Sequence, residues 1–360
     1  MIEDKELQAL VEFGGEREVL SVYLDTDLSY QSKDAVKLKF RERTKGLAGS
    51  AQDDITKIEA FLDFEYDWLT RAVAIFAADD DLWKVIPLPI SVATQSHYTE
   101  RPYVRVLMDV LDRFGSFGVA VLDRESLRLF SIDWGGIRAE TESVGEELKR
   151  HKQGGWAAAR YQRHEDNLAL LNLKQAAEVV QAFCETSGCK RLMLGGSSGV
   201  LAQFKELLSK PVRDHVIGEF AVDMTASTKE IQVRALDVAG RVDLAEEQRL
   251  VEQAITAAAK GGAGVTGLVD TLYNLQQGRV QVLLANEAYQ SAGHVCGDCG
   301  YVFAEAAAVC PLCQGENIIS SSDIVNVAIH KAVQTGADVN IVRSNEQLSG
   351  AGGIAALLRY

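Results

Sequence analysis

The chain has 360 residues, of which 47% are hydrophobic and 24% charged, and its 37 basic and 51 acidic side chains give a formal net charge of −14. This composition excludes wholesale disorder, and at roughly 100–200 residues per domain the length predicts two or three domains. The acidic balance argues against a protein that binds nucleic acid over its whole surface, but it leaves room for a local basic region.

The sequence gives no indication of a membrane or a secretory route. No segment approaches the run of about 18 apolar residues that a membrane helix needs. The first residues, MIEDKELQAL, lack the basic and then apolar regions of a signal peptide. We therefore expect a cytoplasmic protein.

The first part of the chain mixes strands and helices. Strands are predicted at 19–24, 72–77 and 81–90, the last ending at two prolines, with a helical pattern over 34–67 and a helix near 104–113. Asp25 and Asp27 follow the first strand. They could form a carboxylate pair, although a turn cap is the simpler interpretation.

The middle of the chain alternates strands and helices, which predicts an α/β unit. Strands are expected at 118–122, 127–132, 191–194 and 216–222, and a long helix with one apolar face at 157–186. The segment Gly195-Gly196-Ser197-Ser198-Gly199 follows a strand and precedes a helix, where backbone amides could bind phosphate. It lacks the P-loop lysine and the full dinucleotide spacing, so an ordinary strand-to-helix turn is favoured.

The last part of the chain is also predicted to be α/β, with a cysteine-bearing insert. Helices are expected at 244–260, 265–277 and 323–335, and strands at 279–285, 338–342 and 354–358. The whole chain is therefore interpreted as an α/β (α+β) multidomain protein. We place the three domains at 1–115, 116–238 and 239–360, with the insert at 294–316.

The insert carries two CxxC pairs separated by ten residues: Cys296 with Cys299, and Cys310 with Cys313. Each CxxC turn directs two thiolates at one point, and two such turns complete a tetrahedral S₄ shell around zinc. Because such a shell leaves no position open for water, the zinc would be structural. Reduced free thiols or a disulfide pair are the alternatives.

Five other residues bear on the interpretation of the cysteines. Gly300 and Gly315 are expected to permit the tight backbone of each turn. His294 could support or replace a ligand, although four cysteines already complete the shell. Cys184 and Cys189 lie far away in sequence and are interpreted as small core residues.

A basic segment interrupts the acidic background, since residues 149–164 contain no acid. Its cationic residues flank the tripeptide Gly154-Gly155-Trp156, and they are Lys149, Arg150, Lys152, Arg160 and Arg163. Flexible glycines, basic side chains and an aromatic ring suit contact with phosphates and stacking on a base. The alternative is a solvated loop whose tryptophan packs on its own domain.

This segment resembles the GGQ loop of the archaeal and eukaryotic class I peptide release factors. The order of basic residues, Gly-Gly, small residues, Arg-Tyr-x-Arg and a long helix is similar, and Pelota and Vms1-type proteins share the domain plan. The stretches DLWKVIPLPI, FGVAVLDRESLRLF and GGIAALLRY resemble recurrent stretches of the bacterial and archaeal release-factor-like group. The resemblance implies an RNase H-like middle domain that carries the loop, and a C-terminal domain with a zinc-ribbon insert. It is weaker over residues 1–115, where the stop-codon-reading motifs are not apparent.

The third residue of the loop departs from the family. In release factors it is a glutamine that helps to position the water attacking the peptidyl-tRNA ester, whereas here it is Trp156. An indole has one N–H donor and no acceptor, so it cannot position that water in the same way. Gly154 and Gly155 carry over as loop residues, but no catalytic residue does.

The resemblance therefore implies a non-hydrolytic factor that binds the ribosome, rRNA and tRNA near the peptidyl-transferase region, in rescue, quality control or hibernation. It also makes a translational GTPase a candidate partner and gives no reason to expect DNA binding. One alternative is a peptidyl-tRNA hydrolase or tRNA-cleaving factor that uses Arg160 or His164. Another is a protein-binding scaffold in which zinc only holds the C-terminal lobe together.

Overall fold

The computed structural model describes residues 4–15, 17–47, 49–133, 136–144, 158–343 and 345–360. It is a mixed α/β structure with several sheets, as the sequence predicts. The chain divides into two compact units: one combines residues 1–112 with 246–360, and the other comprises residues 113–245. Among the described helices, none combines the length and the apolar character needed to cross a bilayer.

An antiparallel sheet organises the N-terminal part, with the strand order β3-β2-β1-β4 among the described residues. In chain order its elements are α1 (Asp4–Glu12), β1 (Val19–Asp25), α2 (Lys33–Thr44), a 3-10 turn (Gly49–Ala51), α3 (Gln52–Phe64), β2 (Ala72–Ala78), β3 (Leu82–Leu88), β4 (Gln95–Thr99) and α4 (Arg105–Phe114). Phe40 of α2 and Ile58 of α3 pack on Val22 and Ile75 of the two central strands. Burying these side chains is the main stabilising contribution of this sheet.

One prediction for this region needs correction. The helical pattern over 34–67 is two helices, because the chain leaves α2 at Lys45 and Gly46 then adopts a φ of +90°, which a helix cannot contain. The strand predicted at 81–90 is confirmed as β3, with Pro87 inside it. Proline is tolerated there because β3 is an edge strand.

The second unit contains a five-stranded sheet in the order β7-β6-β5-β8-β9. Its elements are β5 (Phe117–Leu122), β6 (Ser126–Asp133), β7 (Gly136–Val144), α5 (Ala158–Ser187), β8 (Leu192–Gly195), α6 (Ser198–Leu207), α7 (Lys210–Asp214), β9 (Val216–Phe220) and α8 (Thr228–Ala259), whose residues fall in both units. Strands β5, β8 and β9 run parallel, β6 pairs antiparallel with β5, and β7 pairs antiparallel with β6. The helix predicted at 244–260 is the second half of α8, which starts at Thr228.

Apolar side chains cover both faces of this sheet. On β5, Ala120 and Leu122 pack in the cluster that contains Phe204 of α6, whereas Val119 and Val121 pack in the opposite cluster. This alternation follows the two-residue period of a strand. It explains why β5 reads as a continuous apolar run in the sequence.

The C-terminal part of the first unit carries two further sheets, ordered β10-β16-β11-β15 and β13-β12-β14. Its elements are β10 (Gly264–Thr266), α9 (Leu268–Gln276), β11 (Val280–Asn286), β12 (Gly293–Cys296), β13 (Val302–Phe303), β14 (Ile318–Ser321), α10 (Ile324–Gln334), β15 (Asp338–Val342), α11 (Glu346–Gly350) and β16 (Ile354–Leu358). The helix predicted at 265–277 is confirmed as α9, but its predicted start is wrong. Residues 265 and 266 belong to strand β10, and Gly267, with a φ of +82°, turns the chain into α9.

Buried hydrogen bonds join the N-terminal and C-terminal parts of the first unit. Asn326 of α10 accepts from the backbone N–H of Val104 (3.2 Å) and donates to the carbonyl of Pro102 (3.2 Å). His330, one turn later, places Nε2 2.7 Å from that same carbonyl and Nδ1 3.1 Å from the carbonyl of Val11. Both side chains are almost fully buried, so these bonds are shielded from water.

Arg105 adds a buried cation to this junction. Its guanidinium donates to the carbonyls of Tyr289 (2.7 Å) and Asn286, and it lies 3.8 Å from the Asp323 carboxylate. Arg105 is 3% exposed, and a buried charge requires such partners. We call the contacts of Pro102, Val104, Arg105, Asn326 and His330 the polar junction.

Candidate metal centre and the Gly-Gly-Trp segment

The small sheet β13-β12-β14 positions the four cysteines. Cys296 ends β12, and the chain turns through Cys299 into β13. Cys310 and Cys313 lie in the following loop, before β14 pairs back onto β12. The pairing of these short strands therefore brings the two CxxC turns together.

Backbone geometry shapes each turn. In the first, the N–H of Gly300 donates to the carbonyl of Cys296 (2.8 Å), and Gly300 has a φ of +68°. In the second, the N–H of Gln314 donates to the carbonyl of Cys310 (3.0 Å), and Gln314 is the residue with positive φ (63°). The prediction for Gly300 is confirmed.

The role predicted for Gly315 is corrected. Its backbone does not need a left-handed conformation, but a Cβ at this position would overlap the Asp298 carboxylate and come within 3.3 Å of Cys313 Sγ. The glycine thus permits a close approach rather than a turn. Its N–H also lies 3.4 Å from Cys313 Sγ, a donor suited to a thiolate.

The four sulfurs form one cluster in which all lie within 4.8 Å of one another. Cys296 Sγ is 3.6 Å from Cys313 Sγ, and Cys299 Sγ is 3.6 Å from Cys310 Sγ. A disulfide would require about 2.05 Å. A tetrahedral zinc site with bonds of about 2.3 Å has sulfurs about 3.8 Å apart, close to what is observed. The predicted clustering of the cysteines is confirmed, and the donor set suits a structural metal ion.

His294 is not a member of the cluster. Its Nδ1 lies 3.4 Å from the Ser320 hydroxyl, and its ring packs beside Phe303 with the centroids 5.5 Å apart. The histidine therefore belongs to the sheet that supports the cysteines, and four thiolates form the cluster without it.

We call the basic segment at 149–164 the Gly-Gly-Trp segment. Most of it lies outside the described residues, including Lys149, Arg150, Lys152, Gly154, Gly155 and Trp156. Helix α5 begins at Ala158, close to its predicted start, and includes Arg160 and Arg163. Arg163 and His164 are exposed on the first turns of that helix, and the side chain of Arg160 is outside the described set. The RNA-binding and catalytic assignments in this segment stay predictions.

The interpretations of two weaker motifs are confirmed. The carboxylate of Asp25 accepts from the N–H of Asp27 (3.1 Å), and that of Asp27 accepts from Ser29 (2.9 Å), so both cap a turn. Gly196 links β8 to α6 with a φ of +153°, and a Cβ there would lie 2.5 Å from the Leu122 carbonyl oxygen. The glycine is thus required by the strand-to-helix turn itself.

Sequence reasoning missed the polar junction. The sequence alone gives no reason to single out His97 or His330, yet both are held in the fold. His97 stacks on Tyr103 with the centroids 3.5 Å apart, and burial lowers the pKa of His97 to about 4. Burial likewise lowers the pKa of His330 to about 4, although the carbonyls of Val11 and Pro102 partly offset it. No local pattern identifies His330, because its partners lie far away in sequence.

Comparisons with known proteins agree with the resemblance. Residues 102–240 match the family described as "Bacterial archaeo-eukaryotic release factor family 10". Over 322 residues the chain is 25% identical to peptide chain release factor subunit 1 of Archaeoglobus fulgidus, covering 81% of this chain and 77% of that protein.

Solved structures of the same group also align with the chain. One, the "Model of ribosome-bound archaeal Pelota and ABCE1", is 13% identical, covers 98% of this chain and 92% of its own, and has a TM-score of 0.42. Another is Dom34 of S. cerevisiae, titled a translation termination-like factor interacting with Hbs1, at 9% identity, 82% and 81% coverage, and a TM-score of 0.43.

The four-cysteine insert and the sequence matches define a release-factor-like protein. Residues 102–240 match the bacterial archaeo-eukaryotic release factor family, and the chain is distantly homologous to archaeal release factor subunit 1. The family resemblance found in the sequence is confirmed.

Proposed function

We propose that this protein is a non-hydrolytic, ribosome-associated factor that binds rRNA and tRNA near the peptidyl-transferase region, in ribosome rescue, quality control or hibernation. The observation that carries the proposal is Gly154-Gly155-Trp156, in which the loop glycines of a release factor are kept and the catalytic glutamine is replaced. An indole offers no acceptor to a water molecule, whereas its ring can stack on a base.

The charge distribution supports the same proposal. In a chain with a net charge of −14, the acid-free segment at 149–164 is suited to binding phosphates. It leads into α5, in a unit whose sheet order, numbered within the unit, is 3-2-1-4-5 with the second strand antiparallel. That order supports an RNase H-like middle domain at 116–238, between domains at 1–115 and 239–360.

Ribosome co-sedimentation tests this function. We expect the wild-type chain to migrate with ribosomes at moderate salt, and the triple substitution of Lys149, Arg150 and Lys152 by Gln to weaken binding at least about tenfold. The slope of log binding constant against log salt concentration should also become shallower by about 0.7–0.9 for each lost phosphate contact.

A matched control replaces three exposed cations elsewhere, Lys229, Arg241 and Lys260, by Gln. This control should bind as the wild type does. Absence of co-migration with every ribosome state, empty or loaded with peptidyl-tRNA, would overturn the proposal. Binding that survives neutralisation of the segment would instead favour a scaffold role.

We also propose that Cys296, Cys299, Cys310 and Cys313 hold a structural zinc ion that forms a zinc ribbon at 294–316. The sulfur spacing of 3.6 Å supports it. The purified chain should contain one zinc, Cys310→Ser should lose it, and Cys184→Ser should keep it, as measured by a colorimetric chelator. A wild-type chain without metal and with alkylatable cysteines would contradict the zinc assignment.

A further inference from the structure

Two cysteines outside the metal cluster are brought together by the end of helix α5. Cys184 lies in the last turn, Gly188 follows the helix with a φ of +66°, and the N–H of Cys189 donates to the carbonyl of Cys184 (3.1 Å). This backbone bond closes a turn of six residues and defines a Schellman motif, in which the first and last side chains come into contact. Here both of those side chains are thiols.

The surroundings of the two thiols differ. Cys184 is 5% exposed and packs in the apolar cluster between α5 and the sheet, whereas Cys189 is half-buried. Cys189 Sγ lies 3.0 Å from the carbonyl of Arg191, and a Cβ on Gly118 would come within 3.0 Å of it, so its position is well defined. A more buried and a less buried cysteine thus occupy the two ends of one Schellman turn.

The two side chains also interact chemically. Hydrogen bonding with Cys184 lowers the pKa of Cys189 to about 7, while the pKa of Cys184 is raised. The thiolate is the reactive form of cysteine, so Cys189, the less buried cysteine of the pair, is also the more nucleophilic one. The buried thiol is positioned to react second.

We propose that Cys184 and Cys189 are a redox-active dithiol that a hydroperoxide oxidises to an intrachain disulfide. The thiolate of Cys189 attacks the peroxide, the O–O bond breaks, and one oxygen is transferred to sulfur while the other leaves as water or an alcohol. The Cys184 sulfur then attacks the resulting sulfenic acid, the S–O bond breaks, and the S–S bond forms with release of water. Two thiols are oxidised and one peroxide is reduced, which balances the step.

The bond would clamp the C-terminal end of α5 to the start of β8. Helix α5 begins within the Gly-Gly-Trp segment. The disulfide would therefore modify the same unit that carries this segment. Since the closed loop is only six residues long, the bond stabilises the fold weakly, and its use is as a modification site rather than a staple.

Mass spectrometry of the full zinc-loaded chain tests this. Cleavage at Lys174 and Lys190 places both cysteines in one peptide that contains none of the metal-cluster residues. After brief treatment with equimolar hydrogen peroxide, denaturation and alkylation, we expect this peptide to be two hydrogens lighter and unalkylated. Dithiothreitol should restore two alkylation sites.

Two controls make the test decisive. Cys184→Ser should leave a sulfenic acid on Cys189 that dimedone traps, whereas Cys189→Ser should leave Cys184 reduced. In guanidinium chloride the same peptide should oxidise at least about tenfold more slowly, because the Schellman contact is lost. Equal rates in the folded and unfolded chain, or a doubly alkylated peptide from the treated native chain, would overturn the proposal.

Discussion

Each of the two units of this protein is stabilised internally by a different kind of interaction. In the unit formed by residues 113–245, apolar clusters cover both faces of one sheet, and the segments that build it are continuous in sequence. In the other unit, residues 1–112 and 246–360 are joined at the polar junction by buried, directional hydrogen bonds. The discontinuous unit therefore depends on a few partners that the continuous unit does not need.

The largest effect is expected at Arg105. Removing a buried cation leaves the Asp323 carboxylate and two carbonyls without their partner, so Arg105→Ala should lower the free energy of unfolding of this unit by about 3–5 kcal/mol. Hydrogen exchange should accelerate in both β1 and β11 while β5 stays protected. Arg41→Ala, which removes an exposed pair with Glu59, is the control and should cost under about 1 kcal/mol. Exchange that accelerates in β11 alone would show that the two segments do not unfold together.

The next effect is expected in the continuous unit. Leu194 of β8 is fully buried, so Leu194→Ala should cost about 3 kcal/mol through lost burial and the cavity left behind. Leu171→Ala, at a position that is 47% exposed, should cost well under 1 kcal/mol, roughly the surface range. Chemical denaturation followed by exchange in β5 and β8 measures both. An equal loss for the two variants would contradict the apolar account of this unit.

Acidification should weaken the polar junction. The pKa of His330 is lowered to about 4 by burial, so the unfolded chain, with a pKa near 6.5, takes up the proton first as the pH falls. The stabilisation is present above pH 6.5 and is lost between 6.5 and 4, by about 2 kcal/mol at pH 5. His330→Gln should flatten this part of the stability curve, whereas the lowered pKa of His97 leaves a residual slope. An unchanged slope in the variant would show that His330 does not titrate as described.

The smallest effect is expected at Tyr23. Its buried hydroxyl donates to the carbonyl of Tyr103 (2.5 Å), so Tyr23→Phe should cost about 1 kcal/mol. Tyr98→Phe removes a solvent-exposed bond to Ser50 and should be nearly neutral. Urea titrations of both variants measure the free energy of unfolding. A larger loss of this free energy for Tyr98→Phe would contradict the role assigned to the buried Tyr23 hydroxyl.

The same contrast explains what the sequence predicts well. Helix α5 and the buried strand β5 follow from apolar spacing, and the cysteine cluster follows from two CxxC turns, because each of these patterns is local. Strands β4 and β7 were missed because they are sheet edges made of polar residues such as those in QSHYT, without apolar alternation. The polar junction was missed because its partners are 181 to 319 positions apart.

The Gly-Gly-Trp segment belongs to the continuous unit, which also contains most of the family match. Its proposed role rests on one residue type, since Trp156 cannot position a water molecule as glutamine does. Under the proposed function, ribosome binding and peptidyl-tRNA hydrolysis are separate properties.

The most direct measurement is peptide release from ribosomes that carry peptidyl-tRNA, with an archaeal release factor subunit 1 and its own ribosomes as the positive control. The account predicts that the wild-type chain binds these ribosomes and releases no peptide above the buffer rate, while Trp156→Gln releases more than the wild type. Release by the wild-type chain that Gly155→Ala abolishes would contradict the account and establish a peptidyl-tRNA hydrolase.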